Sequence, residues 1–168
     1  MTHVVPVPTP ADQPPADPNR STVGDVARRS RTVSRRDIEL FTEISGDRNP
    51  LHYNEELARA SRFGGIVVQG GVTTGLLNAV VAEDLPGPGS VFLHTDWSFR
   101  APVRPGDTIT AEVEVLEART DKPISRLRTT ITNQEGTVVV DGTALVWTEP
   151  LAAPVVPFPR RGRVARLI

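Results

Sequence analysis

The sequence contains no cysteine, which removes disulfides, thiolate metal sites and cysteine nucleophiles from consideration. Lysine is nearly absent: Lys122 is the single one among 19 basic residues, and it stands beside Pro123, a poor setting for a Schiff-base amine. Histidine is limited to His3, His52 and His94. A three-histidine zinc site would need all of them, and His3 belongs to a proline-rich leader, so no such metal site is expected. No apolar run approaches the ~18 residues of a membrane span. The formal net charge of −1 offers no basic surface for nucleic acid or an anionic membrane. No basic stretch followed by an apolar core marks a signal peptide, so the expected compartment is the cytoplasm.

What is present is ordinary for a folded domain: 168 residues, 38% hydrophobic and 23% charged, about one domain's worth of chain. Residues 1–21 are rich in proline and polar residues and read as a disordered leader that cannot bury enough apolar surface to offset its ordering entropy. Residues 150–168 combine prolines with Arg160, Arg161, Arg163 and Arg166. They read as a solvated tail or as an arm lying on a partner subunit. The domain is expected over 22–149.

Within it, Ser34-Arg35-Arg36-Asp37 has the form of a capping box with Asp in place of Glu. Ile38, Phe41 and Ile44 follow at helical spacing with Leu40 beside them, and Ser45-Gly46 stops that helix. Asn54 reads as a second N-cap before Glu55 and Glu56, opening a short helix over 57–61, with Gly64 after it as the stop. A third helix, 70–82, opens on Gly70-Gly71 and is apolar nearly all round, so it is expected to be buried. After Pro86-Gly87-Pro88-Gly89 the period becomes two. Strands are expected over 91–99, over 109–115 with clean alternation, around Leu127 and Ile131, and over 138–147. Regular turns imply antiparallel neighbours. The fold class is therefore α+β: an antiparallel sheet wrapped around one buried helix, its other face mostly exposed.

Two features carry chemistry. Asp47-Arg48-Asn49-Pro50-Leu51-His52 places a carboxylate and an imidazole five residues apart between two helices. Pro50 restricts both itself and Asn49, and Asn49 can bond its own backbone, so the loop is stiff. A stiff loop can aim Asp47 and His52 at one water, the arrangement general acid–base catalysis requires. By residue type alone the same segment also reads as a cap and turn. The second feature is Phe63-Gly64-Gly65-Ile66-Val67-Val68-Gln69-Gly70-Gly71, which feeds the buried helix. Its free backbone N–H groups suit developing negative charge, or the glycines serve only close packing.

Together these residues resemble the MaoC-like, R-specific enoyl-CoA hydratase family, which has the hot-dog fold. The resemblance runs through Phe41, the Asp47–His52 motif, Phe63 and Ile66-Val67-Val68-Gln69-Gly70, and extends to 98–107. It implies that Asp47 and His52 hold a water that adds across the double bond of an acyl thioester, or is lost in reverse. It implies that Gly70, with Gly71 beside it, polarises the thioester carbonyl. It also implies a homodimer, with CoA or phosphopantetheine present only as the substrate's carrier.

Two positions depart from the family. Gln69 stands where histidine is common, and Asn78 stands where some hydratases carry a serine facing the dyad. Asn78 either orients the dyad or bonds backbone. With Asn49, these residues form the expected polar support. Arg100 and Arg104 either meet the carrier's phosphates or are solvated surface charges. His94 reads as structural or exposed, and Trp97 and Trp147 as core or interface. The alternatives to a hydratase are a hot-dog thioesterase or lyase acting on a CoA- or carrier-bound intermediate, and a non-catalytic partner subunit.

Overall fold

The computed structural model describes residues 21–151; the leader and nearly all of the tail lie outside them. Chain order is β1 (Val26–Thr32), α1 (Arg35–Ser45), a 3-10 turn (Pro50–His52), α2 (Glu55–Ala60), α3 (Gly70–Glu83), β2 (Ser90–Phe99), β3 (Thr108–Ala118), β4 (Ile124–Thr132) and β5 (Val138–Thr148). The strands form one antiparallel sheet in the order β1-β3-β4-β5-β2. Its concave face wraps α3, the hot-dog arrangement.

The sheet closes on α3 because β3 alternates as its sequence demands. Ile109, Ala111, Val113 and Val115 are buried, while Thr110, Glu112 and Glu114 are not. Leu127 and Ile131 of β4, Ala144 and Val146 of β5, and Leu77, Val80 and Val81 of α3 complete the core. Burying these side chains contributes roughly 1.5–3 kcal/mol each for the larger ones. The outer face carries cross-strand ion pairs, including Arg128–Glu114 at 2.8 Å.

Three expectations need correction. First, β1 was not anticipated. Its sequence, VARRSRT, has no apolar alternation of its own. It is held by its partner: Arg28 pairs with Glu112, Ser30 with Thr110 and Thr32 with Thr108 across the β1–β3 register, the kind of cross-strand pairing that stabilises an edge. Second, consecutive strands are not all neighbours. β2 crosses to the far edge and pairs with β5 rather than β3. A bulge between Phe92 and His94 resets its phase, so Phe92 packs edge-on to Trp97 while Val91, Leu93 and Phe99 are exposed. Third, only part of the α1 stripe is buried. Ile38 is in the core, but Ile44 is 82% exposed, because the last turn of α1 overhangs a groove beside α3 and leads out to the dyad loop.

Gly142 shows why β2 can reach this position. A Cβ there would lie 1.9 Å from the Asp96 carbonyl oxygen. With none, Trp97 lies across that position and its indole N–H donates to buried Thr129 of β4 at 3.0 Å. His94 is exposed on β2, and the Trp147 indole donates to Glu149 at 2.8 Å.

Candidate active site

Helix α1 begins where Asp37 accepts from the Ser34 N–H at 2.7 Å and from its hydroxyl at 2.8 Å. It ends at Gly46, whose left-handed backbone (φ 76°) returns its N–H to the Thr42 carbonyl. That conformation suits glycine and turns the chain directly into Asp47. Asp47 Oδ1 accepts from the Asn49 N–H at 3.1 Å, and Asn49 Oδ1 accepts from the Leu51 N–H at 3.1 Å. Two successive side-chain-to-backbone turns thus shape the loop before Pro50 starts the 3-10 turn. α2 then caps on Asn54, which accepts from Leu57 N–H at 3.0 Å. It runs over Glu55–Ala60, so it starts two residues before the expected 57–61 and ends one residue before it.

The loop brings the dyad together. His52 Nε2 lies 3.5 Å from Asp47 Oδ2, too long for a strong direct hydrogen bond and close enough for one water to reach both. His52 Nδ1 lies 2.5 Å from the Val67 carbonyl oxygen. A carbonyl only accepts, so Nδ1 carries the proton in neutral His52 and Nε2 presents its lone pair toward Asp47. The imidazole is 11% exposed and the carboxylate 38%. His52 and Asn49 line a cleft of about 730 Å³ together with Gly70, Thr73 and Phe99, within the size range of small-molecule sites.

Gly70 and Gly71 take different places. Gly70 lines this cleft, and Gly71 lines the groove on the other side of α3. A Cβ on Gly70 would come within 3.0 Å of the Phe99 ring, and one on Gly71 within 2.2 Å of Phe41. Close packing therefore requires Gly71. Among the described residues neither N–H donates to a protein acceptor, as expected at a helix start, but only Gly70 lines the same cleft as His52. Asn78 is exposed on α3 and its amide points to the Thr74 carbonyl at 3.5 Å. It bonds backbone and does not touch the dyad.

The arginines are redistributed as well. Arg100 and Arg104 line the cleft, but Arg100 is held by Asp141 through two contacts, the shorter 2.6 Å. The Arg104 guanidinium donates to the carbonyls of Phe63 and of Ile66, the latter at 3.2 Å. Arg62, which the sequence did not single out, lines the same cleft, lies over the Phe63 ring at 5.3 Å and has no ion pair among the described residues. Among the described residues the cleft is lined by three arginines and by His52 but not by Asp47, whose Oδ2 stands 3.5 Å from His52 Nε2.

Sequence reasoning also missed Thr42. Its hydroxyl accepts from Gln69 Nε2 at 3.0 Å and from Tyr53, and donates to the Asp47 carbonyl at 2.7 Å. The available signal was its position four residues after buried Ile38, a polar residue on a core-facing helix stripe. Gln69 is 1% exposed, and its Nε2 also reaches the Ile38 carbonyl at 3.3 Å. Its Oε1 has no protein partner. Turning the amide over would set that oxygen against another acceptor, so the orientation is fixed even though an unmet buried acceptor costs about 1–3 kcal/mol.

A model of the MaoC-like domain matches residues 19–138. The chain belongs to the MaoC-like family. It is 40% identical over 124 residues to the (R)-specific enoyl-CoA hydratase of Aeromonas caviae, a match covering 74% of this chain and 92% of that protein. It is 42% identical over 116 residues to the 3-hydroxybutyryl-CoA dehydratase of Methylorubrum extorquens, covering 69% and 73% respectively. Among solved structures, the A. caviae (R)-hydratase involved in PHA biosynthesis superposes with a TM-score of 0.73 at 38% identity, over 77% of this chain and 98% of that one. Among the described residues no helix is long and apolar enough to cross a membrane, and no cluster of three or more histidine or carboxylate side chains could hold a metal ion.

Proposed function

We propose that this MaoC-like chain is a hydro-lyase that adds water to trans-2-enoyl thioesters, or removes it from (R)-3-hydroxyacyl thioesters, using Asp47 and His52. The observation that carries the mechanism is the 3.5 Å gap between His52 Nε2 and Asp47 Oδ2 beside the cleft, joined to a tautomer set by the Val67 carbonyl. The names of the A. caviae and M. extorquens relatives supply the substrate class.

A water between the two side chains donates one hydrogen bond to each acceptor. As its oxygen bonds to Cβ, one proton passes to the dyad and the double-bond electrons move toward the thioester carbonyl. The dyad then returns a proton to Cα on the same face. One water is consumed and no electrons are exchanged. The enolate-like oxygen meets the Gly70 N–H, a backbone donor of a kind whose loss costs about 10²–10³ in kcat. No redox or metal cofactor enters this scheme.

The carrier is CoA or a phosphopantetheine arm. The three arginines that line the cleft favour a phosphate-bearing carrier, with Arg62, which has no ion pair among the described residues, to meet it. The chain acts as a homodimer through β2, an edge strand with an open ladder and with Val91, Leu93 and Phe99 exposed; an uncovered edge of this kind is a pairing surface.

The decisive experiment is turnover of crotonyl-CoA and longer enoyl-CoAs by the purified protein, followed as loss of the conjugated thioester's ultraviolet absorbance. Hydration without release of free thiol supports the reading. Release of free thiol makes the protein a thioesterase, and no turnover of any enoyl thioester leaves the hydratase reading without support.

A further inference from the structure

We infer that Thr42 and Gln69 form a non-titrating clamp that sets the position of Asp47, making them positioning residues for the reaction. This rests on the proposed dyad and goes beyond it by naming what holds the carboxylate in place.

A hydroxyl has one proton to give and two lone pairs to accept with. Thr42 Oγ1 uses all three. It donates to the Asp47 carbonyl oxygen at 2.7 Å, and it accepts from Gln69 Nε2 at 3.0 Å and from the Tyr53 hydroxyl. One oxygen therefore ties α1 to the Asp47 loop, to the residue after the 3-10 turn and to the N-cap of α3.

The other side of the dyad is fixed from the same strip of chain. Val67, two residues before Gln69, receives His52 Nδ1. The 67–69 segment thus orients the imidazole directly and the carboxylate through Thr42. Gln69 is buried, and its amide stays in one orientation because Nε2 must face the Ile38 carbonyl. Neither an amide nor an aliphatic hydroxyl titrates near neutrality, so the clamp keeps the same hydrogen-bond directions throughout the reaction.

Asp47 itself is only half-buried, and its Oδ1 is committed to the Asn49 N–H. Without the Thr42 bond, its backbone is held from outside only by the flanking turn. Displacement by about 1 Å at a reacting centre can cost 10²-fold in rate.

The test compares wild type, Thr42→Val, Thr42→Ser, Gln69→Leu and Asp47→Asn in the full-length protein. Thr42→Val keeps the shape and removes the hydroxyl; Thr42→Ser keeps the hydroxyl. In crotonyl-CoA hydration, Thr42→Val and Gln69→Leu are expected to lower kcat about 10–100-fold with KM within about twofold, and Thr42→Ser to recover most of the rate. Backbone amide exchange is the second readout and does not depend on the reaction. The Asn49 N–H should exchange at least about tenfold faster in Thr42→Val and Gln69→Leu, with Thr42→Ser like wild type and the β3–β5 amides unchanged.

Unchanged kcat together with unchanged Asn49 exchange in Thr42→Val overturns the clamp. So does faster exchange spread evenly over the sheet, which marks general destabilisation. If the wild type hydrates no enoyl thioester, or Asp47→Asn stays fully active, the proposed function fails. The clamp is then decided by Asn49 exchange alone.

Discussion

His52 Nε2 faces Asp47 Oδ2 at 3.5 Å while each residue has its other polar atom tied down, Nδ1 by the Val67 carbonyl and Oδ1 by the Asn49 N–H. One lone-pair-bearing atom on each side chain is left pointing into the gap between them. Two acceptors set around a gap of that size can share the two protons of one water.

Asp47→Asn and His52→Ala should each lower kcat by about 10²–10⁴, the range for loss of a general acid–base group. The double variant should lose little more than the weaker single one, since both act on one water and effects within one unit are not additive. Steady-state kinetics on crotonyl-CoA, alone and in the double-mutant cycle, checks both statements.

Arg62 should matter more for carrier binding than either arginine suggested by the sequence. Arg62→Ala is expected to raise KM for enoyl-CoA about tenfold, as for loss of a charge-assisted hydrogen bond. The same variant should leave KM for a pantetheine thioester without phosphates unchanged. Arg100→Ala should have a smaller effect, because Asp141 already neutralises Arg100. Equal effects of Arg62→Ala on both substrates would remove the phosphate assignment.

Gly71 and Gly75, two of the three glycines of α3, should respond to substitution in opposite directions. Gly71→Ala places a methyl against Phe41, where the gap is 2.2 Å, and should destabilise by about 1–3 kcal/mol, as overpacking does. Adding Phe41→Leu should recover part of that loss. Gly75→Ala, on the same helix, meets nothing within 4 Å and should gain up to about 1 kcal/mol from helix propensity. Urea unfolding of the four proteins measures the difference.

Acid stability should depend on Asp37. Burial pushes its carboxyl up, but hydrogen bonds from the Ser34 N–H and hydroxyl and the Arg31 guanidinium outweigh this and hold it below the ordinary 3.8. A carboxylate depressed in the folded state contributes stability that is complete above its unfolded value. That contribution disappears as pH falls through the lower folded value. Asp37→Asn should therefore be less stable than wild type at neutral pH, and the two should converge below about pH 4. Denaturant midpoints measured between pH 7 and pH 3 test the convergence.

Self-association should run through β2. Sedimentation of the wild type should report a dimer, and Leu93→Arg, which places a charge on the exposed edge strand, should shift it toward monomer. Unchanged dimerisation of that variant would move the interface elsewhere.

Local signals were enough for the elements that carry their own evidence. The Ser34–Asp37 cap, the Gly46 stop, the Asn54 cap, the glycine-led α3 and the alternation of β3 each follow from short-range preferences, and all stand where the residues placed them. The Asp47-to-His52 loop was legible as a stiff turn, because Asn49 and Pro50 constrain it using nothing outside it, and the structure brings Asp47 and His52 within 3.5 Å of each other there. β1 was not legible, since an arginine-rich edge strand is stabilised by Glu112 and the threonines of β3, residues about 80 positions away. The reset phase of β2 depends on a bulge and on Gly142 of another strand.

The sequence by itself therefore determined the α+β class, the buried helix and the stiff loop that carries Asp47 and His52, all consequences of neighbours within a few residues. Only the tertiary structure decided which nitrogen of His52 is free, which glycine lines the cleft, that Asp141 and backbone carbonyls hold Arg100 and Arg104, and that Thr42 with Gln69 braces Asp47. Each of those depends on a hydrogen bond or a steric contact between groups distant in the chain, and partners of that kind are assigned by packing rather than by spacing.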